Sequence, residues 1–330
     1  MIRPVHRSAH RLRVAFPVLL PVVLAALASF PAGCEDSSQP ASGASGKSAT
    51  GSGPVAASGT PLRAVATTAA LAFFTSRIGG DAVRVEFPVP DGLDPADWSP
   101  KGQDLPMLQE ADLVVLNGAG LESWRSRVSL RESRVVETGE SIRSRWIETD
   151  GPTHSHGMSG SHSHAGTASR TWLDPTLAIE QARMILKSLS QARPELAADF
   201  ERNFKALEKD LLDLDARYES AVGGRGERPV LFSHPVYDYL IRRYGLNARS
   251  LDWEPGEMPY EEQWDALAST RGEFPADAIL WEATPIEPIS RRLAGMGIES
   301  FTFEPCGNVR PSEWLDAMRR NADALRAALE

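Results

Sequence analysis

The chain has 330 residues, 42% of them hydrophobic and 24% charged, with a net charge of −9 and only two cysteines. The acidic balance argues against nucleic acid and anionic lipid surfaces as partners and is compatible with cation capture. The length is enough for two α/β lobes or one large domain.

The first thirteen residues carry Arg3, Arg7, Arg11 and Arg13 and no acid, and Val14 to Phe30 is apolar apart from Pro17, Pro21 and Ser29. A charged start, an apolar run and small residues before a cut site describe an export signal over residues 1–33. The Ala32-Gly33-Cys34 ending is similar to a bacterial lipoprotein box, although Pro31 stands where that box usually has Leu, so Cys34 is the expected lipidation site. An uncleaved anchor helix is the competing reading, since seventeen residues just cross a bilayer of ~30 Å. Loss of the signal would leave a net charge of −13, and a lipidated Cys34 would leave Cys306 without a disulfide partner. Residues 34–61 are mostly Ser, Gly, Ala and Pro, which cannot bury a core and form a tether.

Strand and helix patterns then alternate. Strands are expected at Leu62–Thr67, Val83–Phe87, Leu113–Asn117 and Arg134–Glu137, with a helix through Ile78 that stops at Gly79-Gly80. Gly118, Gly120 and Ser123 follow the third strand and read as the opening of a helix, with a weak likeness to a dinucleotide loop that lacks its third Gly. Four of the seven histidines, His154, His156, His162 and His164, fall within eleven residues among Gly, Ser and Met. A short polar His-rich run is read first as a mobile metal-capture loop, because neutral imidazole is the commonest ligand of borderline metals.

A helix follows over Thr176–Ser190, and the pattern restarts with Leu196, Phe200, Phe204, Leu207, Leu211, Leu214 and Tyr218. Their three- and four-residue spacing makes one apolar stripe, which predicts a long helix over Glu195–Val222 ending at Gly223-Gly224. Strands resume at Pro229–Ser233, Ala248–Trp253, Ala278–Glu282 and Ser300–Phe303, and a helix over Pro311–Leu329 closes the chain.

This alternation predicts an α/β fold of two lobes, each a parallel sheet flanked by helices, joined by a long spine helix. The expected divisions are an N-terminal lobe over 62–194, the spine over 195–222 and a C-terminal lobe over 223–330. Ligands of such sheets bind beyond the carboxyl ends of strands. Those ends hold Thr67-Thr68, Asp94–Pro100, Ser233-His234, Glu254–Met258, Glu282 and Glu304-Pro305-Cys306. A Ser-His hydrolase is disfavoured: no Gly-x-Ser-x-Gly elbow exists, and Ser233 and His234 are strand neighbours whose side chains point apart.

Several segments together resemble the metal-binding solute-binding lipoproteins of bacterial zinc and manganese ABC importers. They are Pro90-Asp91-Gly92-Leu93-Asp94-Pro95, Glu110–Val115, Asn117–Trp124, the His-rich run before Trp172-Leu173-Asp174-Pro175, and Phe232-Ser233-His234 with Tyr239 and Arg242–Leu246. The resemblance spans about residues 62 to 329. It implies a monomeric, non-enzymatic periplasmic protein that takes zinc, with manganese as second choice, to a membrane permease. It also implies four ligands in a cleft between the lobes. Two of those positions depart from the pattern, because Ala96 and Arg170 stand where the family has His, while His234 and Glu304 match the other two.

Three explanations follow. The site is rebuilt from His234 and Glu304 with Asp97 or a histidine of the 154–164 run, a set zinc accepts. Alternatively, Arg170 serves a chelated or anionic ligand. In the third, the protein is a degenerate paralogue, a metal buffer or adhesin-like protein binding metal through its histidine run. Glu254 is a reserve ligand. Cys306 reads better as a small buried hydrophobe than as a ligand.

Overall fold

The computed structural model describes residues 59–155 and 161–330, excluding the side chains of 150–155 and 161–165. The expected signal, Cys34, almost all of the tether and His156 lie outside the described residues.

The first lobe begins with β1 (Leu62–Ala66), α1 (Ala69–Gly79), β2 (Val83–Glu86), α2 (Asp104–Glu110), β3 (Leu113–Leu116) and β4 (Val135–Glu137). Its four strands form a wholly parallel sheet in the order β2-β1-β3-β4. The fully buried Leu-Val-Val-Leu run of β3 is what a strand covered on both faces requires.

The helix expected after Asn117 is absent. Glu122 turns its carboxylate back, accepting from Asn117 N at 2.7 Å, Gly118 N at 2.9 Å and Thr67 Oγ1 at 2.6 Å. A carboxylate that takes two backbone donors in this way closes a turn where a helix would have started. Burial raises that carboxyl's pKa, against the hydrogen bonds from Thr67, Asn117 and Gly118 that lower it.

The histidine tract is also not a plain loop. Residues Glu148–Ser155 (β5) and Ser161–Thr167 (β6) form an antiparallel hairpin in which His154 and His162 are register partners. Its base is closed by Ala168 N donating to Ile147 O at 2.8 Å. Tyr239 Oη, from the second lobe, donates to Ala168 O at 3.0 Å and accepts from Ile147 N at 3.4 Å.

After α3 (Pro175–Ala192) comes α4 (Ala197–Val222), one unbroken helix of 26 residues, about 39 Å long at 1.5 Å per residue. Phe200, Phe204, Leu207, Leu211, Leu214 and Tyr218 are all buried along it, the stripe expected from their spacing. Gly223 ends the helix in the left-handed conformation at φ 53°, which a residue without Cβ adopts at no steric cost.

The second lobe comprises β7 (Val230–Phe232), α5 (Asp238–Tyr244), β8 (Ala248–Ser250), α6 (Glu261–Thr270), β9 (Ala278–Trp281), α7 (Glu287–Gly295), β10 (Glu299–Thr302) and α8 (Trp314–Leu329). Its sheet is parallel, in the order β10-β9-β7-β8. The expected strands are all present, each one to three residues shorter than the sequence pattern allows except β10, which keeps its length and begins one residue earlier.

One apolar core runs through both lobes along α4. Trp314 of α8 meets Phe74 of α1 edge-to-face with ring centroids 5.0 Å apart, and Tyr218 Oη donates to Met318 O at 3.0 Å. Arg243 of α5 is paired with Asp215 and Glu219 of α4. The spine is therefore packed against both lobes rather than merely linking them. Among the described residues no helix is long and apolar enough to cross a membrane.

Candidate metal centre

Three adjacent strands of the second sheet end in groups that can ligate a metal. His234 lies two residues past β7, Glu254 follows β8, and Glu282 directly follows β9. One atom from each of these three side chains lies within 4.8 Å of the others, the only such group of His, Cys, Asp or Glu among the described residues. Local bonding explains the convergence. Ser233 N donates to Leu280 O at 2.9 Å, Trp253 N donates to Ser233 O at 3.0 Å, and Glu282 N donates to Ser233 Oγ at 3.2 Å. Ser233 thus ties both neighbouring strand ends to the backbone that carries His234, a structural role with no nucleophilic part.

The His234 side chain is 7% exposed, with Nδ1 3.9 Å from Glu254 Oε1 and Nε2 3.9 Å from Asp252 Oδ1. A ligating histidine commonly turns one nitrogen to the metal and the other to a carboxylate that orients it. Glu254 and Asp252 stand on opposite nitrogens in that arrangement. One imidazole and two carboxylates suit zinc chemically, and carboxylate oxygens also suit manganese.

The other expected residues lie elsewhere. Glu304 is held through its backbone, its N donating to Asn321 Oδ1 at 3.0 Å and its O accepting from Asn321 Nδ2 at 2.6 Å. Its carboxylate lies 3.9 Å from Arg320 of α8, outside the three-residue group. Asp97 is exposed, on the turn that Asp97 N closes with Asp94 O at 2.9 Å. Arg170 Nη2 donates to Asp94 Oδ2 at 2.5 Å and its Nη1 to Ser169 Oγ at 3.1 Å. Burial works to raise the pKa of Asp94, yet the Arg170 guanidinium, the Ala96 N–H donated to Asp94 Oδ1 and the charge of His234 hold it below the ordinary carboxylate range. His154, His162 and His164 are placed only through the hairpin backbone.

Cys306 is buried at a φ of 55° and its thiol donates to Glu304 O at 3.3 Å. Burial pushes that thiol well above its usual pKa, so the neutral form prevails; a ligating cysteine would need the thiolate.

Glu282 was within reach of sequence reasoning, since it sits at a strand end like His234. Matching a ligand pattern points instead to Glu304, and only the strand order β9-β7-β8 shows which carboxylates flank the histidine.

This geometry defines a two-lobed α/β protein with a metal-competent group at the strand ends of its second sheet. Residues 64–328 match the family described as ZnuA, zinc-uptake complex component A, periplasmic, and the chain belongs to that family. A putative metal-binding protein of Treponema pallidum (strain Nichols) is 28% identical over 284 residues, covering 81% of this chain and 87% of that protein. The high-affinity zinc uptake system protein ZnuA of Bacillus subtilis (strain 168) is 25% identical over 283 residues, covering 82% and 88%. Among solved structures, the Zn(II)-bound ZnuA-like domain of Streptococcus pneumoniae AdcA shares the fold with a TM-score of 0.68 at 20% identity, covering 82% of this chain and 99% of that one.

Proposed function

We propose that this protein is the extracytoplasmic solute-binding component of a metal importer, that it captures a divalent ion, zinc before manganese, and that His234, Glu254 and Glu282 hold the ion. Family membership supports the transport role, and with it a binding component rather than an enzyme. The observation that carries the site is the convergence of one buried imidazole and two carboxylates at three adjacent strand ends. Zinc is the cargo here, so the site must release it as well as bind it.

The partner is an ABC permease in the membrane, and the protein acts as a monomer. Residues 1–33 serve as export signal, Cys34 as lipid anchor and 34–61 as tether, which keep the two lobes at the membrane surface. The histidines at 154, 156, 162 and 164 add weaker zinc binding. A chelated or anionic ligand on Arg170 is the second reading, and the Asp94 carboxylate that already answers the guanidinium weakens it.

Competition titration with a zinc chelator tests the site. His234→Ala should abolish tight binding of one zinc per chain while leaving the weaker sites. An unchanged titration for that variant would refute the assignment.

A further inference from the structure

Four large hydrophobic side chains are exposed among the described residues: Leu212, Met258, Tyr260 and Ile286. Leu212 lies on the spine helix. The other three sit on the two loops that carry Glu254 and Glu282. Ile286 N donates to Pro255 O at 2.9 Å, which joins the loops one residue past Glu254. Pro259 is buried, and Trp264 Nε1 donates to its carbonyl at 3.2 Å. Met258 and Tyr260, on either side of it, are left outward at 45% and 76% exposure. An aromatic cluster supports both loops. The Trp253 ring lies 4.6 Å from Trp264 and 6.3 Å from Trp281, and Trp253 and Trp281 immediately precede the two carboxylates. The packing that fixes Glu254 and Glu282 therefore also fixes the exposed apolar groups beside them.

The surrounding charge has one sign. From Leu251 to Thr270 the chain holds no Lys or Arg, and from Gly272 to Ser290 it again holds none. Glu261 is answered by Arg292 at 2.6 Å, while Glu257 and Glu262 are exposed.

Apolar side chains scattered singly over a surface mean little, but several gathered together among polar groups mark contact with another molecule. Tyr and Met are enriched in such contacts, and a rigid support lowers the cost of ordering them. An ion leaving Glu254 and Glu282 passes the loops that carry them, so the surface that receives it has to cover those loops. Resting on the transport role and the site proposed above, we infer that Met258, Tyr260 and Ile286 are the docking surface for the receiving membrane permease. Its facing segments present apolar side chains bordered by basic ones. Those basic groups meet Glu257 and Glu262 and steer the encounter. The same acidity opposes docking on an anionic lipid surface.

The test measures radiolabelled zinc uptake by cells lacking this chain and supplied with full-length variants, alongside the zinc affinity of each purified variant. Combining Met258→Ser, Tyr260→Ser and Ile286→Ser should leave zinc affinity as in the parent and lower uptake at least ~10-fold, the cost of truncating interface anchors. Leu212→Ser should change neither quantity. Glu257→Gln with Glu262→Gln should lower uptake less, by about threefold, because charges at an interface rim act mainly on the rate of encounter.

Parental uptake in the triple variant would overturn the inference. So would a zinc affinity that falls in step with uptake, since the three residues would then belong to the site. A parent that sediments as a dimer beside a monomeric triple variant would make the patch a face between copies and overturn it as well. Unchanged uptake in the glutamine pair would refute the basic border. Should the triple variant not fold, as judged by circular dichroism, Met258→Ser and Tyr260→Ser singly decide the matter. The underlying readings fail separately: uptake indifferent to the whole chain ends the transport role, and uptake indifferent to His234→Ala ends the site assignment.

Discussion

At the carboxyl ends of β7, β8 and β9 three side chains able to ligate converge, whereas the first-lobe segments after β2 and before α3 carry Ala96 and a salt bridge between Arg170 and Asp94. Both lobes are parallel sheets wrapped by helices and both offer strand ends at their border. The difference lies in how each side is fixed. On the second lobe, Ser233 locks the neighbouring strand ends in register, so the positions of His234, Glu254 and Glu282 follow from the sheet itself. On the first lobe, the relevant residues sit on a long connection after β2 and on the segment just before α3. There, side-chain bonds rather than a sheet decide what faces the border. The second-lobe groups are thus held by backbone bonds of a sheet, and the first-lobe pair by side-chain bonds between loops.

The sharpest test of that contrast sets Glu282 against Glu304, both at strand ends of the same sheet. Glu282→Gln removes a carboxylate from the group around His234 and should weaken zinc binding by at least ~100-fold, more than loss of an outer-shell partner costs. Glu304→Gln removes a carboxylate that faces Arg320 and should leave zinc affinity within about threefold, since exposed ion pairs contribute little. The reverse ranking in a chelator competition would move the site to the outer strand β10. A smaller effect is expected of Asp252→Asn. Asp252 Oδ1 lies 3.9 Å from His234 Nε2, and weakening that orienting contact should lower zinc affinity by about tenfold without changing the number of tight sites. A full loss of binding would make Asp252 a ligand rather than an orienting group.

Most of the frame was legible in the sequence because it rests on periodicity. The stripe from Phe200 to Tyr218 demands a single helix, and the apolar runs at 113–116 and 278–281 read as covered strands. What escaped depends on contacts between distant positions. Nothing local to Glu122 says that its carboxylate will cap Asn117 and Gly118 and stop a helix from starting. The His-Ser-His repeats read as a mobile loop, yet their alternation also suits the hairpin that places His154 opposite His162. In the candidate site His234 was legible from its place after a strand. Which carboxylates join it follows from strand order: β8 and β9 flank β7, and β10 lies one strand farther out.

The smallest effect tests the first-lobe pair. The folded protein holds the Asp94 carboxyl below its ordinary value of 3.8, with Arg170 and the Ala96 N–H outweighing burial. A carboxyl depressed by folding releases its proton more readily in the native state, so the unfolded chain binds more protons and stability rises with pH across that interval. The contribution is therefore complete above pH 3.8 and is lost as pH falls through the depressed value. Because the Asp94 side chain is 36% exposed, solvent screening keeps the contribution below about 1 kcal/mol. In thermal melts the unaltered chain should lose stability faster than Asp94→Asn as the pH drops below 3.8, and the two should differ by a constant amount from there to neutrality. Parallel curves through the acid range would mean that Asp94 is not bound to Arg170 in solution.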